Sequence, residues 1–70
     1  MAKVTWDMIS KYVEQALNTW GQIERADLVE YAENDYASDD IIDALDAIGS
    51  RVFRNVDDVK KFLTDQGYIS

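Results

Sequence analysis

Three glycines punctuate this chain, and Gly21, Gly49 and Gly67 each close a run of apolar residues at helical spacing. The residue just past a helix often turns left-handed, a conformation that glycine takes without steric cost. Before Gly21, the residues Ile9, Tyr12, Val13, Ala16, Leu17 and Trp20 recur at intervals of three and four, which is helical periodicity rather than strand alternation. Thr5 has N-cap chemistry, and Val4 and Ile9 stand where a hydrophobic staple would place them. Helix 1 is expected from about Thr5 to Trp20.

The next stripe is shorter. Leu28, Val29 and Ala32, with Tyr31 at the edge, predict helix 2 over about Glu24 to Asn34, and Asn34 to Ala37 read as a turn. Ser38 caps helix 3, whose first turn carries Asp39 and Asp40 where the helix dipole favours negative charge. Ile41, Ile42, Ala44, Leu45 and Ile48 form its apolar face. Asn55 and Asp58 resemble a capping box for helix 4, with Val56, Val59, Phe62 and Leu63 facing inward. Between helices 3 and 4, Arg51 to Arg54 alternates briefly. Tyr68-Ile69 is extended and apolar, either pairing with that segment or covering the core.

These elements predict a mainly all-α fold: one domain, residues 1–70, as a compact bundle of about four short helices. Helices 2 and 3 form a helix-turn-helix-like corner, and the expected minimal β pairing joins residues 52–54 to 67–69. A core this small supplies only ~3–5 kcal/mol of net stability. The chain has no cysteine, so neither a disulfide nor a thiolate metal site can reinforce it. With no histidine, the usual neutral-pH acid/base and the commonest metal ligand are both missing. No apolar run approaches the ~20 residues of a membrane span. The first residues lack the apolar core of a secretion signal, and the expectation is a cytoplasmic protein.

Charge is unevenly placed. Residues 24 to 46 hold nine of the fourteen acids, with Arg25 as the lone base, so the formal −7 sits almost wholly on the helix 2/helix 3 region. Such a face repels nucleic-acid and membrane phosphate and suits a basic partner. Asp39, Asp43 and Asp46 fall at i, i+4 and i+7 on helix 3. Like charges at that spacing cost ~0.2–0.5 kcal/mol per pair. Asp39 is excused by the helix N-terminus; Asp43 and Asp46 serve either solubility or a partner. The EF-hand pattern read from Asp35 fails at Ala37 and Asp40. No metal ligand set and no cofactor are expected.

Aromatics number eight in 70 residues, more than the core needs, so one or two should be exposed. Trp6 and Tyr36 are the candidates, each judged to fall off its helix's main stripe. Exposed aromatics beside charge suit binding surfaces. The residues expected to meet a partner are Glu30, Glu33, Asp39, Asp43, Asp46, Tyr36 and Trp6. The bases Arg51, Arg54, Lys60 and Lys61 cluster around Phe53 in the last third. They are expected to neutralise the acidic helices of the same molecule or of a neighbouring copy.

Three stretches carry a resemblance: Ala26 to Asn34 (ADLVEYAEN), Ala37 to Leu45 (ASDDIIDAL) and Arg51 to Val59 (RVFRNVDDV). Over about residues 22 to 63 the chain is similar to a family of small bacterial domains, domain of unknown function 2795. In that family a Leu-Val-Glu-x-Ala-type helix meets a short turn and an acidic-capped helix. An Arg-aromatic step and a capped terminal helix follow. The family tends to have Gly in the turn where this chain has Asp35-Tyr36, and Leu-Pro where it has Ile48-Gly49. The resemblance implies a mostly helical domain and brings no catalytic residues.

The functional expectation is a non-enzymatic protein-interaction module, with the acidic helix 2/helix 3 face docking a basic protein surface. One alternative is a phage-type acidic DNA mimic that inhibits a nucleic-acid-binding protein. Direct nucleic-acid binding through Arg51, Arg54, Lys60 and Lys61 ranks below both, because a −7 chain attracts phosphate poorly. The expected assembly is a monomer or a weak, salt-sensitive homodimer.

Overall fold

In the computed structural model, which describes residues 4–69, four helices surround one core. They are α1 (Trp6–Trp20), α2 (Arg25–Asn34), α3 (Asp39–Asp46) and α4 (Val56–Asp65). Two short strands, β1 (Ile23–Glu24) and β2 (Val52–Phe53), pair antiparallel with Ile23 opposite Phe53 and Glu24 opposite Val52. A parallel bridge joins Val4 to Ile69.

The apolar stripes build the core as periodicity requires. Ile9, Val13 and Ala16 of α1 are fully buried, as are Leu28 and Ala32 of α2, Leu45 of α3, Ile48 just beyond it, and Val59 and Leu63 of α4. Ile23 joins them from β1. α2 and α3 pack closely on each other across the turn at residues 35–38, and α1 lies against α2 and α4. The expected corner and four-helix architecture are therefore present.

The β pairing exists, but its partner differs from expectation. Residues 52–53 pair with 23–24, not with 67–69. β2 immediately precedes α4 and Ile69 follows it, and the 10 residues of α4 separate its ends by about 15 Å. The last residues cannot double back over that length. Gly67, with φ 81°, instead turns the chain so that Ile69 meets Val4 and covers the core with 3% exposure.

The caps also differ in detail. Thr5 holds the N-cap backbone conformation, but its side chain makes no capping hydrogen bond; the staple residues Val4 and Ile9 are both buried. Ser38 Oγ accepts from the Ile41 N–H at 3.4 Å. Asn55 Oδ1 accepts from the Asp58 N–H at 2.8 Å, while its own Nδ2 donates to the Asp58 carboxylate at 2.9 Å. That is a reciprocal pair made with the asparagine amide in place of its backbone N–H.

Candidate functional site

Acids on α2 recur at three-residue spacing opposite the buried Leu28 and Ala32, so Glu30 and Glu33 project into solvent. The tight packing of α2 on α3 brings Asp46, at the end of α3, alongside them. Together with Arg25, Ala26, Val29 and Asn34, these three acids line an open groove of about 360 Å3. Its lining mixes the apolar side chains of Ala26 and Val29 with the three carboxylates. At one wall Arg25 Nη1 donates to Asp46 Oδ1 at 2.9 Å, with both side chains about half exposed.

Of the seven residues expected to meet a partner, the structure brings Glu30, Glu33 and Asp46 to one groove. Asp39 and Asp43 are exposed on the same helix as Asp46 but do not line it. Tyr36 stands at the α2–α3 turn, 95% exposed and with φ 57°. This left-handed conformation costs a residue with a Cβ roughly 1–2 kcal/mol. The turn needs a positive φ here, a conformation that glycine would take at no steric cost and that tyrosine supplies instead.

Trp6 corrects the expectation. It is half-buried and packs against the core, because Trp6, Ile9 and Val13 fall at i, i+3 and i+7 and so share the inward face. Its ring lies 6.0 Å from Lys60 Nζ on α4, which assigns it to the α1/α4 packing and not to the acidic groove. Trp20, counted with the buried stripe, is instead 60% exposed. It is the last residue of α1, where the helix ends, and its indole N–H donates to the Tyr31 hydroxyl at 2.9 Å.

Of the two roles expected for the basic cluster, the one within the molecule is not met. Among the described residues, the ion pairs are Lys11–Asp35 and Arg25–Asp46, so Arg51, Arg54, Lys60 and Lys61 do not neutralise the acidic helices by direct contact within the molecule. Arg51 instead stacks its guanidinium 4.6 Å from the Phe62 ring, and Phe62 lies 5.8 Å from Phe53.

Sequence reasoning missed a polar junction between α1 and the α2–α3 turn. Tyr12, 5% exposed, donates its hydroxyl to Asp35 Oδ2 at 2.7 Å, and Lys11 Nζ reaches the same oxygen at 2.8 Å. The hydrogen bonds from Lys11 and then Tyr12 hold the Asp35 carboxyl below its ordinary pKa. Desolvation, followed by the bond to Asp35, raises that of Tyr12. The partners stand 23 and 24 positions apart, and no local pattern signals such a pairing.

Among the described residues, no group of three or more acids is gathered tightly enough to hold a metal ion, and no helix is long and apolar enough to cross a membrane. No curated protein and no solved structure matches the chain. Residues 23–60, which span β1, α2, α3, β2 and the first half of α4, match the model of a family described as protein of unknown function (DUF2795). That is more than half of the chain, and the chain belongs to this family.

Proposed function

We propose that this chain is a non-enzymatic interaction module that docks a basic protein surface on the α2/α3 face. The observation that carries the reading is the open groove along α2 beside the end of α3, lined by Glu30, Glu33 and Asp46 together with Ala26 and Val29. An incoming Arg or Lys side chain has the matching anatomy: an aliphatic stem for Ala26 and Val29 and a charged head for the carboxylates. The contact of the Arg25 guanidinium with Asp46 is an intramolecular precedent that supports the reading.

The test is binding of a synthetic Arg-rich helical peptide by titration calorimetry. Glu30→Lys/Glu33→Lys reverses two groove acids that make no ion pair among the described residues. Glu14→Lys/Asp65→Lys, on exposed positions of α1 and α4, changes the net charge by the same amount elsewhere. Loss of binding in the first variant alone supports the groove. Equal weakening in both shows that only bulk charge attracts the peptide and removes the reading. Competition by duplex DNA for a DNA-binding target would instead point to phosphate mimicry.

A further inference from the structure

We propose that the cationic–aromatic face of β2 and α4 docks the acidic α2/α3 face of a second copy of this chain. The inference rests on the acidic face being a docking surface and names an occupant for it. Four bases, Arg51, Arg54, Lys60 and Lys61, are exposed along the β2–α4 segment, and none is ion-paired among the described residues. A solvated surface base usually has a flexible head. Here Arg51 is stacked over Phe62, 4.6 Å from the ring, and Phe53 lies tilted against Phe62 at 5.8 Å. Stacking one face of a guanidinium leaves its edge N–H groups free for a carboxylate, and holding it still reduces the entropy lost on binding.

Charge complementarity selects the partner. Residues 51–61 carry four bases and two acids, while residues 24–46 carry nine acids and one base. Both surfaces occur in every copy, at equal concentration. A nucleic acid would meet the cationic patch but also the −7 of the whole molecule. A second copy presents its acids to the patch directly, at ion-pair distance, where the attraction outweighs the repulsion of the more distant charges. The contact is small. A weak interface of about 1,200 Å2 in total takes about 600 Å2 from each copy, a minor share of the 4460 Å2 each exposes. The association is therefore weak and loosens as salt rises.

A reciprocal charge swap tests it. Sedimentation equilibrium of the wild-type chain at low salt should show self-association that weakens about tenfold or more in high salt. Glu30→Lys/Glu33→Lys alone and Arg51→Glu/Arg54→Glu alone should each be monomeric, since each sets like charges face to face. Mixed one to one, they should associate again, because reversed acids meet reversed bases. Should Arg51→Glu disturb the Phe62 stack and the fold, Arg54→Glu/Lys61→Glu keeps the stack and serves as the partner variant. A wild-type chain that stays monomeric at every salt, or a mixture that fails to recover, overturns the inference. If the Arg-rich peptide still binds the acidic groove in that case, only the second-copy occupant falls. If peptide binding is also lost, the docking surface itself falls. Salt-sensitive binding of duplex DNA abolished by Arg51→Glu/Arg54→Glu, with no self-association, would transfer the face to a phosphate partner and also overturn the proposal.

Discussion

The Tyr12 hydroxyl donates to Asp35 Oδ2 at 2.7 Å, and Lys11 reaches the same oxygen at 2.8 Å. This junction ties the middle of α1 to the start of the turn that leads into α3. It therefore positions the acidic corner relative to the rest of the fold.

Tyr12→Phe removes the donor and keeps the buried ring. The bond is charge-assisted, since its acceptor is ionised. The expected result is a lower urea midpoint with an unchanged m-value. In a double-mutant cycle with Asp35→Asn, the two losses should be less than additive. Strict additivity would mean that the contact contributes nothing of its own.

The same junction gives stability a pH dependence at both ends. Asp35 has a lowered pKa when folded, so near the ordinary value of 3.8 the unfolded chain binds more protons at this site. Its contribution is present above that pH and is lost as pH falls through the lowered folded value. Tyr12 has a raised pKa, so its contribution is complete below the ordinary value of 10.0 and is lost as pH rises above it. Thermal melts of the wild type and Asp35→Asn, compared across pH, isolate the acid limb. Parallel curves for the two proteins below pH 5 would contradict it.

Tyr36→Gly should stabilise the fold by ~0.5–1 kcal/mol. It relieves the positive φ of 57° while removing a side chain that is 95% exposed and packs on little. For a domain this small that is an increase of a few degrees in Tm. A drop in Tm would show that the ring is held by contacts that its exposure does not suggest.

Asp43→Lys replaces repulsion toward Asp39 and Asp46 with attraction, and should raise stability by up to ~1 kcal/mol over the two pairs. The ion pair between Arg25 and Asp46 is left intact. If the α2/α3 face binds a basic partner, the same substitution should weaken that binding. Opposite changes in melting temperature and affinity, measured on one protein, would separate a surface kept for function from one kept for solubility.

Ile23→Ala tests how far the β clasp belongs to the core. Ile23 is fully buried and pairs with Phe53. Truncation of such a residue costs ~2–5 kcal/mol, comparable to the whole stability of a domain this size. The variant should be largely unfolded by circular dichroism at room temperature. A cooperative melt close to the wild type would mean that the clasp is peripheral.

The helices were legible in the sequence because their causes are local. The spacing of Ile9, Val13 and Ala16, the caps at Ser38 and Asn55, and the stops at Gly21 and Gly67 all act within a turn or two of the chain. The acidic region was legible for the same reason, being a property of contiguous residues. Trp6 has a local cause for its inward placement, three residues before Ile9 on the same stripe. The remaining differences lie in contacts between distant residues. The β pairing joins Ile23 to Phe53 across two helices, which no local pattern signals. Tyr12 finds Asp35, Arg25 finds Asp46, and Arg51 finds Phe62 only once the helices have packed. Sequence by itself determined which segments fold as helices and, apart from Trp6 and Trp20 on α1, which face each must bury. Tertiary structure alone decided which carboxylates share a groove and which bases lack a partner, because those relations depend on the positions of whole helices and leave no periodic trace along the chain.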